Sequence, residues 1–301
     1  MDIMKNFKMV VDCLKASKIK KRVALICGVD SHSQEAISAA IREGFIEVIM
    51  VGPKSEVESY PIFSEFPDSV QFIDISDADQ AAKQAVELIH QGKADILMKG
   101  IINTDNLLRV VLNKHTGLLP SGRVLTHLSL AEIPTYEHLL FFMDAAVIPY
   151  PTLEQRRAML GYMVNTCHKF GLEVPRVALV HFTEKVDSKF PYSLECEQLV
   201  QESKTGAFGK VVLDGPLDLF TACSSEAAAI KGIESPLNGQ ADALLFASIE
   251  SANVFYKSVT LFGQAEMAGL LMGTDCPIII TSRSDSAQTK YNSIALACLT
   301  H

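Results

Sequence analysis

The sequence predicts an α/β protein of two lobes, each built on a mainly parallel sheet. Apolar runs alternate with amphipathic helical segments along nearly the whole chain, which is the signature of strand–helix–strand units. The runs are continuously apolar, so their strands are buried on both faces, as in parallel sheets covered by helices. The chain has 301 residues, more than the roughly 100–200 of a usual domain. One domain is placed at 1–133 plus 277–301 and the other at 134–276, with the last strand and helix returning to the first lobe.

Each element follows from its local pattern. Residues 1–22 show a helical apolar pattern broken by lysines, without the continuous apolar core of a secretory leader. RVALIC (22–27) reads as a strand, and SQEAISAAIREG (33–44) as a helix with Ile37 and Ile41 on one face and Gly44 as its stop. VIMVG (48–52) is a strand, and AAKQAVELIHQG (81–92) a helix with Ala82, Val86 and Ile89 on one face. DILMKG (95–100) is the next strand, followed by a helix in NTDNLLRVVLNK (103–114) with Thr104 as N-cap. LLFFMDAAVIP (139–149) reads as a two-sided apolar strand. Thr152 and Gln155 form a capping box that opens a helix running toward Gly171. PRVALVHF (175–182), KVVLDG (210–215) and DALLFAS (242–248) are strands, 251–272 a long helix, and PIIIT (277–281) a closing strand before a helix from Ser286.

Composition removes several function classes. A net charge of −8 offers no basic face to displace counterions from nucleic-acid phosphates. No run of about 18 apolar residues exists to span a membrane. The cysteines at 13, 27, 167, 196, 223, 276 and 298 show no pairing or zinc spacing, which fits reduced thiols in a cytoplasmic protein. Cys276, His127, His181, Met159 and Met163 read as core or satisfied strand residues. There is no Gly-x-Gly-x-x-Gly after a strand, no Walker sequence and no Gly-x-Ser-x-Gly elbow. A metal-dependent dehydrogenase would need clustered carboxylates, and the sequence shows none.

Ligands of parallel α/β sheets bind beyond the carboxyl ends of the strands. Three such ends carry polar residues: Lys99-Gly100 with Asn103 and Thr104, Asp214-Gly215-Pro216, and Ser282-Arg283-Ser284-Asp285. Free helix amides next to these side chains suit an anion, so together they point to a phosphate-handling site.

LMKGIINTDNLLRVVLNK (97–114), MDAAVIPYPTLEQRR (143–157), PRVAL (175–179), LDGPL (213–217), AIKGIESPLNGQADALLF (229–246), ESANVFYK (250–257) and PIIITSRSDSAQTKYNSIALA (277–297) together resemble the phosphate acetyltransferase/butyryltransferase family across almost the whole chain. The Ser-Arg-Ser-Asp-Ser wording is more similar to the butyryltransferase branch. The resemblance implies a phosphotransacetylase-like pair of αβα lobes around an interdomain cleft, related to the isocitrate/isopropylmalate dehydrogenase-like architecture. It implies a homodimer or higher homo-oligomer that reversibly transfers a short-chain acyl group, butyryl or acetyl, between coenzyme A and inorganic phosphate. Acyl-CoA, coenzyme A, phosphate and acyl phosphate are then the small-molecule partners, coenzyme A acting as a substrate, with no metal or organic cofactor.

Under that resemblance Ser282 and Arg283 are the catalytic pair. The guanidinium fork of Arg283 matches phosphate oxygens, and Ser282 is a donor to the thiol or the carbonyl oxygen. Lys99, Asn103, Thr104 and Asp214 are expected to bind substrate, with Asn253 and Lys257 on the other lobe. The acetyltransferase branch has an aspartate seven residues after the serine, where this chain has Thr289. Asp285 is the nearest carboxylate, either as the base for the thiol or as an N-cap, and substrate phosphate is a further proton acceptor. Other departures are Asp218-Leu219-Phe220 after the Gly-Pro-Leu, Ala252 before Asn253, and Ala247 where proline is usual. Phe220 and Thr289 motivate the alternative of a catalytically weak coenzyme A- or acyl-phosphate-binding regulator.

Overall fold

The structure is a computed structural model that describes residues 2–58, 60–281 and 285–301. By contacts the chain divides into two compact units: a first, Phe7–Leu125 with Met267–His301, and a second, Met1–Asn6 with Thr126–Glu266. In chain order the first unit supplies α1 (Phe7–Ser17), β1 (Lys21–Ile26), α2 (Ser31–Glu43), β2 (Ile46–Gly52), the single turns α3 (Lys54–Val57) and α4 (Ile62–Glu65), β3 (Val70–Asp74), α5 (Ala78–His90), β4 (Ile96–Lys99) and α6 (Thr104–Val111). The second supplies β5 (Thr126–Glu132), β6 (Leu140–Met143), α7 (Leu153–Lys169), β7 (Arg176–Val180), α8 (Pro191–Lys204), β8 (Val212–Leu217), α9 (Leu219–Cys223), α10 (Ser225–Lys231), β9 (Ala243–Leu245) and α11 (Ile249–Leu261). The first unit closes with β10 (Glu266–Met272), β11 (Ile278–Ile279) and α12 (Ala287–Thr300).

The strand order is β3-β2-β1-β4-β11-β10 in the first unit and β5-β6-β9-β7-β8 in the second. All neighbours within a unit run parallel except β10 with β11 and β5 with β6. The central strands are sealed on both faces, since Val23–Ile26, Ile96–Met98, Val177–Leu179 and Ala243–Leu245 are all fully buried. In the first unit α2 packs on α12, and α5 lies against β1, β2 and β4. In the second, α7 lies against β6 and α8 against β8.

One connection pattern is built twice. Written as β2-β1-β4-β11-β10 and β8-β7-β9-β6-β5, the two orders match pair by pair, including the antiparallel last step. The matching strand starts share wording: Arg22-Val23-Ala24-Leu25 with Arg176-Val177-Ala178-Leu179, and Ala94-Asp95 with Ala241-Asp242. The backbone N and Nε of Arg22 donate to Oδ2 of Asp95 at 2.8 and 3.0 Å, and Nη2 to Oδ1 at 2.7 Å. Arg176 makes the same three bonds to Asp242 at 2.7, 3.0 and 3.0 Å. Each aspartate amide returns a 2.8 Å bond to the arginine carbonyl. Burial opposes ionisation of both carboxyls, but the bonds they receive outweigh it and hold them below the usual carboxylate range.

Several elements differ from the sequence reading. The expected long helix over 251–272 is α11 followed by β10, because the helix ends before Gly263 and Gln264 turns with φ 53°. On the backbone that leaves the helix there, a Cβ at Gly263 would fall 2.7 Å from the Val259 carbonyl oxygen, so the exit is one that glycine fits. The apolar run 139–149 is a strand only over Leu140–Met143 and then a turn organised by Asp144. The N-cap of α6 is Asn103, with Thr104 its first helical residue. Beyond these, β3, β5 and α8 carry no expectation from sequence. The contact boundaries also lie elsewhere than 133/134 and 276/277: β5 pairs with β6 in the second unit, and β10 with β11 in the first. Other expectations match: Gly44 ends α2 with φ 83°, and Thr152 with Gln155 closes the capping box of α7.

Candidate active site

In the first unit the carboxyl ends of β1, β4 and β11 lie side by side, with Ile26 beside Lys99 and Ile279 beside Met98. Lys99 is 5% exposed and its Nζ lies 3.4 Å from the Gly100 carbonyl oxygen. Gly100 is sterically required, since a Cβ there would fall on the carbonyl oxygens of Ile26 and Cys27. Its amide bonds the Ile26 carbonyl at 2.8 Å, and the Ile101 amide bonds that of Cys27 at 2.8 Å. Asn103 and Thr104 then open α6, with Asp105 in the first turn, so Lys99, Asn103 and Thr104 share one strand–helix junction. The Cys27 thiol is pushed up by burial, which argues against a nucleophile.

β11 leads to Thr281, 7% exposed. Ser282 and Arg283, the expected catalytic pair, lie outside the described residues. Past them, the Asp285 carbonyl oxygen accepts from the His32 ring Nδ1 at 3.0 Å. The N-cap of α12 is Ser286, whose hydroxyl accepts from the Thr289 amide at 3.1 Å, so the capping reading of Asp285 is corrected to Ser286. Thr289 Oγ1 lies 3.2 Å from the same hydroxyl.

Sequence reasoning missed the next group. Lys290 is 4% exposed, and its ammonium donates to Asp30 Oδ1 at 2.8 Å and to Ser33 Oγ at 2.9 Å. Asp30 caps α2, so the pair ties the first turn of α12 to that of α2. Burial opposes ionisation of Asp30, and the bonds from Lys290 and Ser33 hold it below the usual range. The available signal was a lysine ahead of the apolar run that ends the chain; its partner 260 residues away carried none.

In the second unit, Asp214 does not end its strand. It lies inside β8, where Ser235 donates to Oδ2 at 2.6 Å and the Gly215 amide lies 2.9 Å from Oδ1. The strand-end reading of Asp214 is therefore corrected: its carboxylate is engaged by protein donors. Asn253 donates from Nδ2 to the Ala145 carbonyl at 2.9 Å, and Lys257 follows one turn later, exposed. Asp218 caps α9 and pairs with Lys231, while Phe220 stands 72% exposed. Arg156, 4% exposed, gathers Glu195 and the carbonyls of Phe246 and Ala247 while stacking 4.3 Å over the Tyr192 ring. Asp144, 2% exposed at the end of β6, was also missed; it accepts five hydrogen bonds. The candidates thus fall into two groups, Lys99, Asn103, Thr104 and Asp285 in the first unit, and Asn253 with Lys257 in the second.

Among the described residues no three His, Cys, Asp or Glu side chains gather to hold a metal ion, and no helix is long and apolar enough to cross a membrane.

Residues 68–298 match the family described as phosphate acetyl/butaryl transferase. The chain is 38% identical over 297 residues to a phosphate butyryltransferase of Clostridium beijerinckii, covering 98% of this chain and 97% of that one. It is 35% identical over 281 residues to a phosphate acetyltransferase of Thermotoga maritima, covering 93% and 95%. The crystal structure of a branched-chain phosphotransacylase from Enterococcus faecalis superposes with a TM-score of 0.83 at 29% identity, over 93% of this chain and 99% of that one. With a family match over most of its length and relatives aligned nearly end to end, this chain belongs to the phosphate acetyl/butaryl transferase family.

Proposed function

We propose that the protein is a phosphate acyltransferase that moves a short-chain acyl group, butyryl foremost, reversibly between coenzyme A and inorganic phosphate. The observation that carries this reading is the adjacency of β4 and β11, which sets Lys99 and the start of α6 beside the strand that leads into Ser282 and Arg283. A buried ammonium and helix amides at one rim favour a phosphate group. Acyl phosphate and coenzyme A then exchange by displacement at the carbonyl. The thiol loses its proton, the thiolate forms the carbon–sulfur bond, and the carbon–oxygen bond to phosphate breaks. Arg283 serves the phosphate, and Ser282 serves the thiol or the developing oxyanion; removing one such donor costs about 3–4 kcal/mol of barrier. Asp285, the nearest carboxylate in the sequence to Ser282 and Arg283, is assigned to the thiol proton. Coenzyme A enters as substrate, and direct displacement needs no metal or organic cofactor.

The same reading includes a homodimer in the cytoplasm. All seven cysteines are free thiols, and α11 exposes Val254 and Leu261, with Phe262 just past its end, an apolar surface of the kind that partners cover.

Purified protein given butyryl-CoA and phosphate should release free thiol. No release with any acyl-CoA from acetyl to hexanoyl would sink the reading. Arg283→Lys keeps the charge but loses the planar fork, and should lower turnover at least about tenfold, or roughly 1.4 kcal/mol, with little change in melting temperature. Near-normal turnover with a lowered melting temperature would move Arg283 from chemistry to structure.

A further inference from the structure

Within the first unit, hydrogen bonds join the first turn of α2 to the start of α12. The His32 ring donates from Nδ1 to the Asp285 carbonyl at 3.0 Å, while Lys290 donates to Asp30 Oδ1 at 2.8 Å and to Ser33 Oγ at 2.9 Å. The Ser33 amide in turn donates to Asp30 Oδ1 at 2.9 Å. The two parts of this joint differ in burial. Lys290 and Ser33 are buried, whereas His32 is exposed. The buried bonds fix where the α2 turn sits against α12, and His32 reaches from that turn to the residue just ahead of the Ser286 cap.

Polar satisfaction separates this joint from a plain fastening. Asp95 and Asp242 each accept on both carboxylate oxygens. Asp30 accepts on Oδ1, but its Oδ2 is buried without a donor among the described residues, as is Oε1 of Gln34 one turn on. Unpartnered buried oxygens cost stability. A turn that keeps two of them is better explained by what it places than by what it adds to folding. What it places is His32. A carbonyl can only accept, so Nδ1 of His32 carries the proton, and its bond closes on the main chain of Asp285, the carboxylate assigned to the thiol proton.

We propose that His32 is a positioning residue: seated by Asp30, Ser33 and Lys290, its ring holds the Asp285 main chain so that the Asp285 carboxylate reaches the coenzyme A thiol. The inference rests on the acyltransferase reading and adds to it the residue that orients the base. His32 itself takes no proton in this step; the thiol proton goes to Asp285. An asparagine amide nitrogen takes the place of imidazole Nδ1, so His32→Asn keeps the donor and His32→Ala removes it.

With butyryl phosphate and coenzyme A, His32→Ala should lower kcat about fivefold, the scale of one lost hydrogen bond. KM for both substrates and the melting temperature should stay unchanged, because the ring is exposed. His32→Asn should restore most of the lost kcat, which it would not do if the imidazole itself carried a proton. In an Asp285→Asn background His32→Ala should cost nothing further, since the base it orients is gone. Hydrogen exchange reads the contact without turnover: the amides of residues 285–290 should exchange faster in His32→Ala than in the wild type or in His32→Asn. Full kcat in His32→Ala, no recovery in His32→Asn, multiplying losses in the double variant, or unchanged exchange would each overturn the proposal. A wild type that transfers no acyl group would defeat the acyltransferase reading and the role given to Asp285, while exchange would still decide whether His32 holds residues 285–290.

Discussion

In the first unit Arg22 grips Asp95, and in the second Arg176 grips Asp242, with the same three side-chain acceptor bonds and the same returning amide. At the opposite strand ends the likeness stops. In the frame that matches Asp95 with Asp242, Lys99 falls on Phe246 and Gly100 on Ala247. The registers Ile278 with Leu97 and Phe142 with Leu244 set Ile280 against Asp144. The amino-terminal ends are thus a repeated fastening, while the carboxyl ends were free to diverge. One unit presents a lysine there, and the other turns its own carboxylate inward to shape a loop. The fastening and the candidate site sit at opposite ends of the strands, so either can change without the other.

The most damaging test of this comparison is Asp242→Ala. The Asp242 side chain is 2% exposed and has His138 at 3.2 Å besides Arg176, whereas Asp95 is 17% exposed and held by Arg22. Removing one partner of a buried pair costs about 3–5 kcal/mol. Denaturant unfolding should show a loss of that size for Asp242→Ala and a smaller one for Asp95→Ala; equal losses would mean that the two grips do not differ in weight.

Gly100→Ala comes next, because the methyl group meets main-chain oxygens that cannot swing aside. Overpacking of this kind costs about 1–3 kcal/mol, and turnover should fall with it. Ala247→Gly, at the matching place, should cost under about 1 kcal/mol. A Gly100→Ala protein with unchanged melting temperature and activity would contradict the tight junction at β1 and β4.

Thr152→Ala removes the capping box of α7 and should lower stability by about 1 kcal/mol without touching KM for either substrate. An altered KM would show that the second unit's helix starts take part in binding.

The smallest effect is on the slope of stability against pH. Burial opposes ionisation of Asp30, Asp95 and Asp242, and the bonds they receive, from Lys290 and Ser33, from Arg22, and from His138 and Arg176 respectively, overcome it, so each folded pKa lies below the unfolded value of about 3.9. The unfolded chain therefore binds more protons between those values. Their stabilisation is complete above about pH 4 and fades as pH falls through the folded values. Asp242→Asn should flatten this acid limb, as measured by melting temperature between neutral and acid pH; an unchanged limb would mean that Asp242 titrates alike in both states.

The sequence by itself determined the α/β class, most strand positions, the Gly44 stop, the Thr152 capping box and the placing of Lys99, Asn103 and Thr104 at one junction. All of these depend on neighbours within one or two turns, so a local pattern suffices to read them. Only the tertiary structure decided the rest. Residues 266–272 are apolar enough to extend a helix or fill a buried strand, and pairing with β11 made them a strand. Asp144 reads as one polar letter in an apolar run, because two of its donors come from β5 and the others from the turn it creates. Asp30 with Lys290, Arg22 with Asp95 and Arg176 with Asp242 are separated by 260, 73 and 66 residues. A buried charge needs a partner wherever the fold can bring one, and which residue arrives is settled by strand order and register, quantities that no window of sequence contains.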